Sequence, residues 1–266
     1  MKNVKELFSL CGKVAIVTGG RGLYGSSISR GLCEAGAFVI IASRNGAKCE
    51  ELAEKLRREG YFAEGMTVDL SSDDSIKELV SSVFDKYGRI DILVNNAVDR
   101  SNLAPLSSVT RQQLQNSMNV NMSGQLMLSQ AVIEKMISTG GGSIINISSM
   151  RGIDCPHFPF YPEQFGDQPI NYTTEKWAME GMTRYMAGRY GKHKIRVNSI
   201  APGGYNPGIT DTEAGREFAE TYIKNCPLGC WANEDDIKGP IVFLASDASN
   251  YVTGATLVMD GGWTIW

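Results

Sequence analysis

A phenol and an ammonium lie one helical turn apart in the segment Tyr172-Thr173-Thr174-Glu175-Lys176. Residues four apart share a face of an α-helix, so the two groups are expected side by side. A free tyrosine, with a pKa of about 10, is a poor proton shuttle near neutrality, but a neighbouring cation favours its phenolate. Reduction of a carbonyl by hydride needs such an acid, and oxidation of an alcohol needs its conjugate base. The same spacing is common on ordinary helix surfaces, so the interpretation needs support from other segments.

Two serines give that support. The apolar segment Gly142–Ile147 is followed by Ser148 and Ser149, and open α/β sheets bind their ligands at the carboxyl ends of their strands. One hydroxyl there can bind a substrate oxygen. The alternative is that these serines form a turn or cap, as serines at strand ends often do.

A glycine-rich turn runs from Thr18 to Gly25, between an apolar strand pattern and a helical one. Glycines at such a turn let the backbone approach a pyrophosphate, and the helix N-terminus offers it free N–H groups. The context therefore indicates a dinucleotide site.

The second apolar segment, Phe38–Ala42, ends in Ser43 and Arg44. An acidic side chain near this point accepts hydrogen bonds from the ribose of NAD, whereas arginine attracts the 2′-phosphate of NADP. Arg21, in the glycine turn, can add a second cation. We therefore expect NADP(H) to be favoured over NAD(H), with Arg44 as a solvated loop charge the alternative.

The elements that position these groups follow a βαβ pattern, because short Val- and Ile-rich runs alternate with stretches of helical period. This predicts an α/β fold, a single Rossmann domain over residues 1–266 with a doubly wound, parallel, seven-stranded sheet and helices on both faces. Long helices are predicted from about Arg111 to Ser138 and from Tyr172 to Tyr190. The predicted strands are Lys13–Thr18, Phe38–Ala42, Ala63–Val68, Asp91–Asn95, Gly142–Ile147, Ile195–Ile200 and Thr256–Met259.

Composition excludes several classes of function. A net charge of −3 gives no footprint for nucleic acid or anionic lipid. The six cysteines show no zinc or disulfide spacing, so no metal site and reduced thiols are expected. No apolar run is long enough to span a bilayer and no signal-type segment is present, so we expect a cytoplasmic protein without membrane contacts.

Two irregular segments, residues 150–171 and Gly203–Thr210, interrupt the pattern and are typical of binding loops. The first is rich in aromatic residues, which either stack on a sugar or anchor the loop. Arg151 either binds a substrate carboxylate or holds the loop by bonding backbone oxygens. His157, Tyr161 and Asn206 complete the candidate substrate-binding residues.

The order of these motifs resembles the short-chain dehydrogenase/reductase family from Leu10 to Gly262. Matching motifs, in chain order, are the glycine turn, Asp69, Asn95-Asn96-Ala97, Asn121, Ser149, Tyr172 with Lys176, Pro202-Gly203 and Asp260-Gly261-Gly262. A subgroup of sugar-acid oxidoreductases, the gluconate 5-dehydrogenase-like proteins, shares the variant of the turn in which Leu23 replaces the usual middle glycine.

The resemblance implies a four-residue catalytic site. Tyr172 is the implied general acid/base, Lys176 its cationic partner and a ligand of the nicotinamide ribose, and Ser149 the group that polarises the carbonyl. Asn121 is implied to hold a water that links Lys176 to solvent. The candidate cofactor-binding residues are Gly19, Arg21, Gly22, Leu23, Tyr24, Gly25, Ser43, Arg44, Asp69, Leu70, Asn95, Ala97, Tyr172, Lys176, Pro202 and Gly203.

These features predict an oxidoreductase that moves a hydride between NADP(H) and the carbonyl or secondary alcohol of a sugar, sugar acid or polyol. The alternatives are a 3-oxoacyl-thioester (acyl-carrier-protein) reductase and a non-catalytic NADP(H)-binding sensor. The resemblance also implies pairing of subunits through the two long helices, into a homotetramer or homodimer. The apolar C-terminus, Gly262 to Trp266, is expected to be buried at a subunit interface.

Overall fold

Seven parallel strands form one sheet in the computed structural model, which describes residues 1–266. They are β1 (Val14–Thr18), β2 (Phe38–Ser43), β3 (Phe62–Thr67), β4 (Ile92–Asn95), β5 (Gly142–Ile147), β6 (Ile195–Pro202) and β7 (Thr256–Met259). Their order in the sheet is β3-β2-β1-β4-β5-β6-β7. The chain reverses its direction of winding between β1 and β4, which opens a crevice at their carboxyl ends. The predicted fold class is confirmed, and every predicted strand is present.

Nine α-helices accompany the sheet. They are α1 (Val4–Phe8), α2 (Leu23–Glu34), α3 (Gly46–Arg58), α4 (Asp73–Tyr87), α5 (Arg111–Met118), α6 (Gln125–Thr139), α7 (Ile170–Tyr190), α8 (Glu213–Asn225) and α9 (Lys238–Ala245). Local signals set several ends: the Ser72 hydroxyl caps the start of α4, and Gly88 ends it in the left-handed conformation.

The segment predicted as one helix from Arg111 to Ser138 is broken in the middle. A π-helical turn, Asn119–Gly124, separates α5 from α6. Gly124 lies against the carbonyl of Leu70, where a Cβ would overlap the carbonyl oxygen. This close approach of the two backbones is a tertiary contact, and the helical period of the sequence does not reveal it.

Two apolar layers enclose the sheet. On one face α2, α3 and α9 bury residues such as Leu32, Leu56 and Ile241. On the other, α4, α6 and α7 bury residues such as Val83, Val132 and Met186. Burial on both faces explains why the central strands are continuously apolar, without alternation.

A third, smaller cluster lies beside the sheet. Phe218 and Tyr222 of α8 pack with Trp263, whose ring stacks on that of Tyr222 at 4.3 Å between centroids. Trp263 is 1% exposed within its own chain. The expectation that the C-terminus needs a partner subunit to bury it does not hold for Trp263, whereas Ile265 and Trp266 remain exposed.

Candidate active site

A cleft of about 580 Å³ opens at the carboxyl ends of the strands. It joins the glycine turn, the end of β2 and the start of α7, segments far apart in the sequence. Its lining residues are Gly19, Arg21, Gly22, Leu23, Tyr24, Ser43, Arg44, Asn45, Asn96, Ala97, Val98, Arg100, Ile147, Ser148, Ser149, Tyr172, Lys176, Pro202, Gly203 and Tyr205.

The glycine turn is shaped by two close contacts. Gly19 has φ +62°, and a Cβ there would lie 2.9 Å from the Cα of Ala97. A Cβ on Gly25 would overlap the Gly19 carbonyl oxygen. Only glycine satisfies both positions, and the turn leaves the first N–H groups of α2 facing the cleft.

Leu23, the departure from the usual turn, causes no strain. Gly22 is the N-cap of α2 and Leu23 is its first helical residue. Because Leu23 has an ordinary helical conformation, the glycine expected there by family resemblance is dispensable. Its side chain is 45% exposed along the cleft.

The far end of the cleft carries positive charge. Arg21 and Arg44 line it, and both are exposed. A smaller cavity of about 140 Å³ adjoins Arg44 and is lined by Val68, Asp69 and Leu70. Hydrogen bonds from Ser71, with a smaller effect of Arg44, lower the pKa of Asp69. The cradle of glycines, the small cavity and the two cations fit the phosphates and the adenine of a nicotinamide dinucleotide.

Lys176, at the other end, is buried and 6% exposed. Its Nζ donates a hydrogen bond to the carbonyl oxygen of Ile147 at 2.7 Å, which ties α7 to the end of β5. Burial lowers its pKa to about 8, an effect that the Glu175 carboxylate opposes. Nζ lies 5.6 Å from the centre of the Tyr172 ring. The predicted adjacency of phenol and ammonium is therefore present in the structure.

The start of α7 is held by the segment that follows β4. Asn171 is fully buried; its Oδ1 accepts from the N–H of Ala104 and its Nδ2 donates to the carbonyl of Asn102. The N–H of Ile170 also donates to the Ala104 carbonyl. These bonds fix the orientation of Tyr172 in the first turn of the helix.

Ser148 and Ser149 both line the cleft, directly beyond β5. The Ser149 hydroxyl accepts from the N–H of Arg151 at 3.1 Å, so it also caps the short turn Met150–Gly152. A serine hydroxyl that accepts one bond still has a proton to donate to a substrate oxygen. Capping and substrate binding are therefore compatible in Ser149.

Asn121 lies in the π-turn and bonds to the segment after β4. Its Oδ1 accepts from the N–H of Asp99 at 2.7 Å, and its Nδ2 donates to the Asp99 carbonyl and to Glu175. Its side chain is thus occupied by the protein itself. The amide oxygen accepts only one of the two hydrogen bonds it can form, and the water-holding role implied by the family resemblance stays a prediction.

Asn95, a candidate cofactor-binding residue, does not line the cleft, because its side chain points into the protein. It is fully buried, and its Nδ2 donates to Ser129 and Asn146. The neighbouring Asn96 lines the cleft instead and donates to the carbonyls of Thr18 and Gly19, which stabilises the glycine turn.

Arg151 holds the long loop in place, which is the second of the two roles considered for it. Its guanidinium is buried and donates to the carbonyl of Cys155 at 2.6 Å and to the hydroxyl of Tyr161 at 2.5 Å. It holds the long loop together and is not among the residues that line the cleft. The Tyr161 ring stacks on that of Phe218 in α8, at 4.8 Å.

The other candidate substrate residues are also outside the cleft lining. Nε2 of His157 lies 3.0 Å from the carboxylate of Asp154, and the imidazole stacks on Trp263. Asn206 is exposed and accepts from the N–H of Gly208. The aromatic residues of the loop therefore anchor it to α8 and the C-terminal segment, an alternative that the sequence left open.

Arg100 is a cleft residue that the sequence analysis missed. It follows β4, is exposed, and lowers the pKa of Lys176, although less than burial does. No salt bridge joins Arg100 to a carboxylate of this chain. Tyr205, which follows β6, was missed too; it lines the cleft, and its ring lies 4.7 Å from that of Tyr24.

No group of three or more His, Cys, Asp or Glu side chains is arranged to hold a metal ion. None of the helices combines the length and the apolar character needed to cross a membrane.

Comparison with known proteins gives the context of this site. A family model described as enoyl-(acyl carrier protein) reductase matches residues 21–264. The chain is 36% identical to 2-dehydro-3-deoxy-D-gluconate 5-dehydrogenase of Escherichia coli, covering 98% of each chain. A short-chain type dehydrogenase/reductase from Mycobacterium marinum has 30% identity and a TM-score of 0.87, covering 99% of both chains. This chain belongs to the short-chain dehydrogenase/reductase family.

A solved gluconate 5-dehydrogenase from Burkholderia cenocepacia, in complex with NADP and tartrate, is also similar. It is 33% identical, with a TM-score of 0.88, and the match covers 99% of this chain and all of the other. The present protein is accordingly an oxidoreductase of the short-chain family, and its resemblance to sugar-acid oxidoreductases is confirmed.

For a short-chain oxidoreductase with this geometry, carbonyl reduction is expected to slow as the pH rises through about 8, where the buried Lys176 loses its proton. A neutral Lys176 no longer favours the phenolate that Tyr172 forms when it gives up its proton. The measurement is the pH profile of kcat/KM for reduction. Lys176→Arg keeps its charge throughout this range, so its residual activity is expected to lack this alkaline limb.

A wild-type rate that stays constant from pH 7 to 10, with substrate and cofactor stable, contradicts this assignment. Tyr172→Phe, which keeps the ring and removes the hydroxyl, is the companion control. It is expected to lose at least 100-fold in kcat, the usual contribution of a positioned acid.

Proposed function

We propose that the protein is an NADP(H)-dependent oxidoreductase that interconverts a carbonyl and a secondary alcohol on a sugar acid or a closely related polyol. The observation that carries the proposal is one cleft with Tyr172, Lys176 and Ser149 at one end and Arg21 and Arg44 at the other. A nicotinamide cofactor held between these two ends would supply or accept the hydride.

The residues of the chain perform the proton chemistry. The Tyr172 hydroxyl donates a proton to the reduced oxygen, or accepts one from an alcohol. The Lys176 ammonium, held by the Ile147 carbonyl, stabilises the phenolate that results. The Ser149 hydroxyl orients the same substrate oxygen by a hydrogen bond.

Arg100 supports an acidic substrate. It has no carboxylate partner within the chain and lies in the same cleft as Tyr172 and Lys176. Guanidinium groups bind carboxylates bidentately. The names of related proteins point the same way, because they include dehydrogenases of gluconate and of 2-dehydro-3-deoxy-D-gluconate, together with a complex that contains tartrate.

The test of the proposal is a panel of sugar-acid ketones and polyols with NADPH and NADP, and with the NAD forms in parallel. Turnover of an acetoacetyl thioester with NADPH, with no turnover of any sugar acid, favours the 3-oxoacyl-thioester reductase. A non-catalytic sensor is favoured if the protein binds the cofactor but turns over no member of the panel, and if Tyr172→Phe gives the same result as the wild type.

Arg44→Asp is expected to lower the preference for NADP over NAD, measured as the ratio of kcat/KM values, by roughly 10- to 100-fold. The variant replaces a cation at the phosphate with an anion, and a charged hydrogen bond contributes about 1.5–3 kcal/mol. Arg58→Asp, an exposed charge reversal at the end of α3 and outside the cleft, is the matched control. An unchanged ratio in Arg44→Asp means that Arg44 is a solvated loop charge.

Arg100→Gln is expected to weaken reduction of carboxylate substrates by roughly 10- to 100-fold in kcat/KM, for the same physical reason. A neutral polyol turned over by the same enzyme serves as the internal control, and its kcat/KM is expected to change less than threefold. Equal losses on acidic and neutral substrates indicate that Arg100 does not bind the carboxylate.

The assembly is proposed to be a homotetramer, or a homodimer, paired through α5, α6 and α7. These helices expose large apolar side chains: Leu126 is 39% exposed, Trp177 51% and Tyr185 72%. Trp177→Glu is expected to reduce the mass measured by light scattering at micromolar concentration, whereas Val4→Glu, at an exposed apolar residue of α1, is expected to leave it unchanged. A monomeric wild type contradicts the proposal.

A further inference from the structure

The Tyr-x-x-x-Lys segment contains a buried carboxylate that the proposed mechanism does not use. Glu175, the residue before Lys176, is 3% exposed. A glutamate in a helix is usually solvated, and burying its charge is costly unless it is paired and hydrogen-bonded. A buried glutamate in this position must therefore have hydrogen-bond donors or an opposite charge close to its carboxylate.

Both oxygens of Glu175 accept hydrogen bonds from outside its helix. The Ser117 hydroxyl of α5 lies 2.5 Å from Oε1, and Nδ2 of Asn121 donates to Oε2 at 2.8 Å. The backbone of Asp99 fixes the orientation of the Asn121 amide, because its N–H must donate to Oδ1 and its carbonyl must accept from Nδ2. The hydroxyl of Ser117 donates to Oε1, and the amide nitrogen of Asn121 makes a longer contact of 3.3 Å with the same hydroxyl oxygen. This arrangement suits an ionised carboxylate.

Glu175 directly precedes Lys176 in α7, and both side chains are buried, although no salt bridge joins them. Its two hydrogen-bond donors are neutral, so they do not balance the charge. Lys176 is buried next to it, and Glu175 is the main neighbour that opposes the effect of burial on the Lys176 pKa. Burying either charge alone would be costly. Each of the two opposite charges lowers the free-energy cost of burying the other.

Four other charged groups lie on α7 and on the segments that pack beside it. Arg100, after β4, acts against the ammonium, and Glu180, one turn along α7, acts in its favour but less than Glu175 does. Asp99 uses its carboxylate on Ser101 and Asn102. The Arg151 guanidinium is bound to Cys155 and Tyr161.

We propose that Glu175 is a positioning residue of the Tyr172–Lys176 centre: its buried carboxylate fixes Asn121 and the π-turn, and its negative charge balances the Lys176 ammonium. This rests on the proposed function only in that Lys176 serves the reaction. Glu175 itself touches neither substrate nor cofactor, since it is absent from the cleft lining.

Glu175→Gln separates the two parts of this role. The amide can accept from Asn121 through its oxygen and donate to Ser117 through its nitrogen, so the contacts persist and the charge is lost. The expected result is a downward shift of roughly 0.5 to 1 pH unit in the alkaline limb of carbonyl reduction. The Lys176 titration, followed by NMR of ¹³C-labelled lysine side chains, is expected to shift by the same amount, with Lys176→Arg used to assign the signal.

Glu180→Gln is the matched control. Glu180 is also a buried carboxylate on α7, but it accepts from Ser199 and Thr256 and not from Asn121. Its substitution is expected to move the limb by less than half the shift of Glu175→Gln. Glu175→Asp keeps the charge on a shorter side chain, so it is expected to restore the wild-type limb with a lower kcat.

A Lys176 titration in Glu175→Gln within 0.2 pH unit of the wild type overturns the proposal, as does an equal or larger shift in Glu180→Gln. If Glu175→Gln does not fold, Glu175→Asp is the test. Because this variant keeps the charge, an alkaline limb shifted downward by roughly 0.5 to 1 pH unit in Glu175→Asp also overturns the proposal. The NMR titration needs no substrate. If the wild type turns over no member of the panel, the proposed function fails while the titration still decides the role of Glu175.

Discussion

The buried ammonium of Lys176 is the interaction on which the rest of the site depends. A cation removed from water is stable only where the protein supplies acceptors and opposing charge. Here the carbonyl of Ile147 supplies the acceptor at the end of β5. This bond ties α7 to the end of β5 beside Tyr172 and Ser149, and the bonds of Asn146 to Thr183 and of Ser199 to Glu180 join the same helix to the sheet farther along. The acceptor that solvates the ammonium is therefore also a contact that holds the helix and the sheet together at the site.

The segment after β4 provides the second constraint. It bonds to α7 through Asn171 and to the π-turn through Asn121. It also carries Arg100 to the cleft. The same segment therefore holds α7, which carries Tyr172 and Lys176, and positions the guanidinium of Arg100. The proposed proton donor and the charge expected to bind the substrate are connected through it.

Features that depend on local sequence were predictable. The strands, the glycine turn and the Tyr172–Lys176 pair follow from periodicity, spacing and the conformational range of glycine, and the structure brings them to one cleft. Helix α8 was missed, although Phe218 and Tyr222 have helical spacing. Without α8 there was no partner for Tyr161, so the aromatic residues of the long loop could not be assigned to packing. Arg100 and Glu175 depend on tertiary contacts, and neither has a local signal: one lies in an irregular segment, and the other looks like any polar helix residue.

The distribution of aromatic residues explains how the long loop supports the cleft without lining it. Tyr161 and Phe165 both pack on Phe218, and His157 and Phe160 pack on Trp263. Phe218 and Trp263 in turn contact Tyr222, whose hydroxyl accepts from the N–H of Gly204 beside the cleft. The loop thus stabilises the segment that begins at Pro202, and it does so through a rigid aromatic cluster. Two groups of side chains therefore have separate places: charged and polar residues line the cleft, and the aromatic residues behind them support its wall.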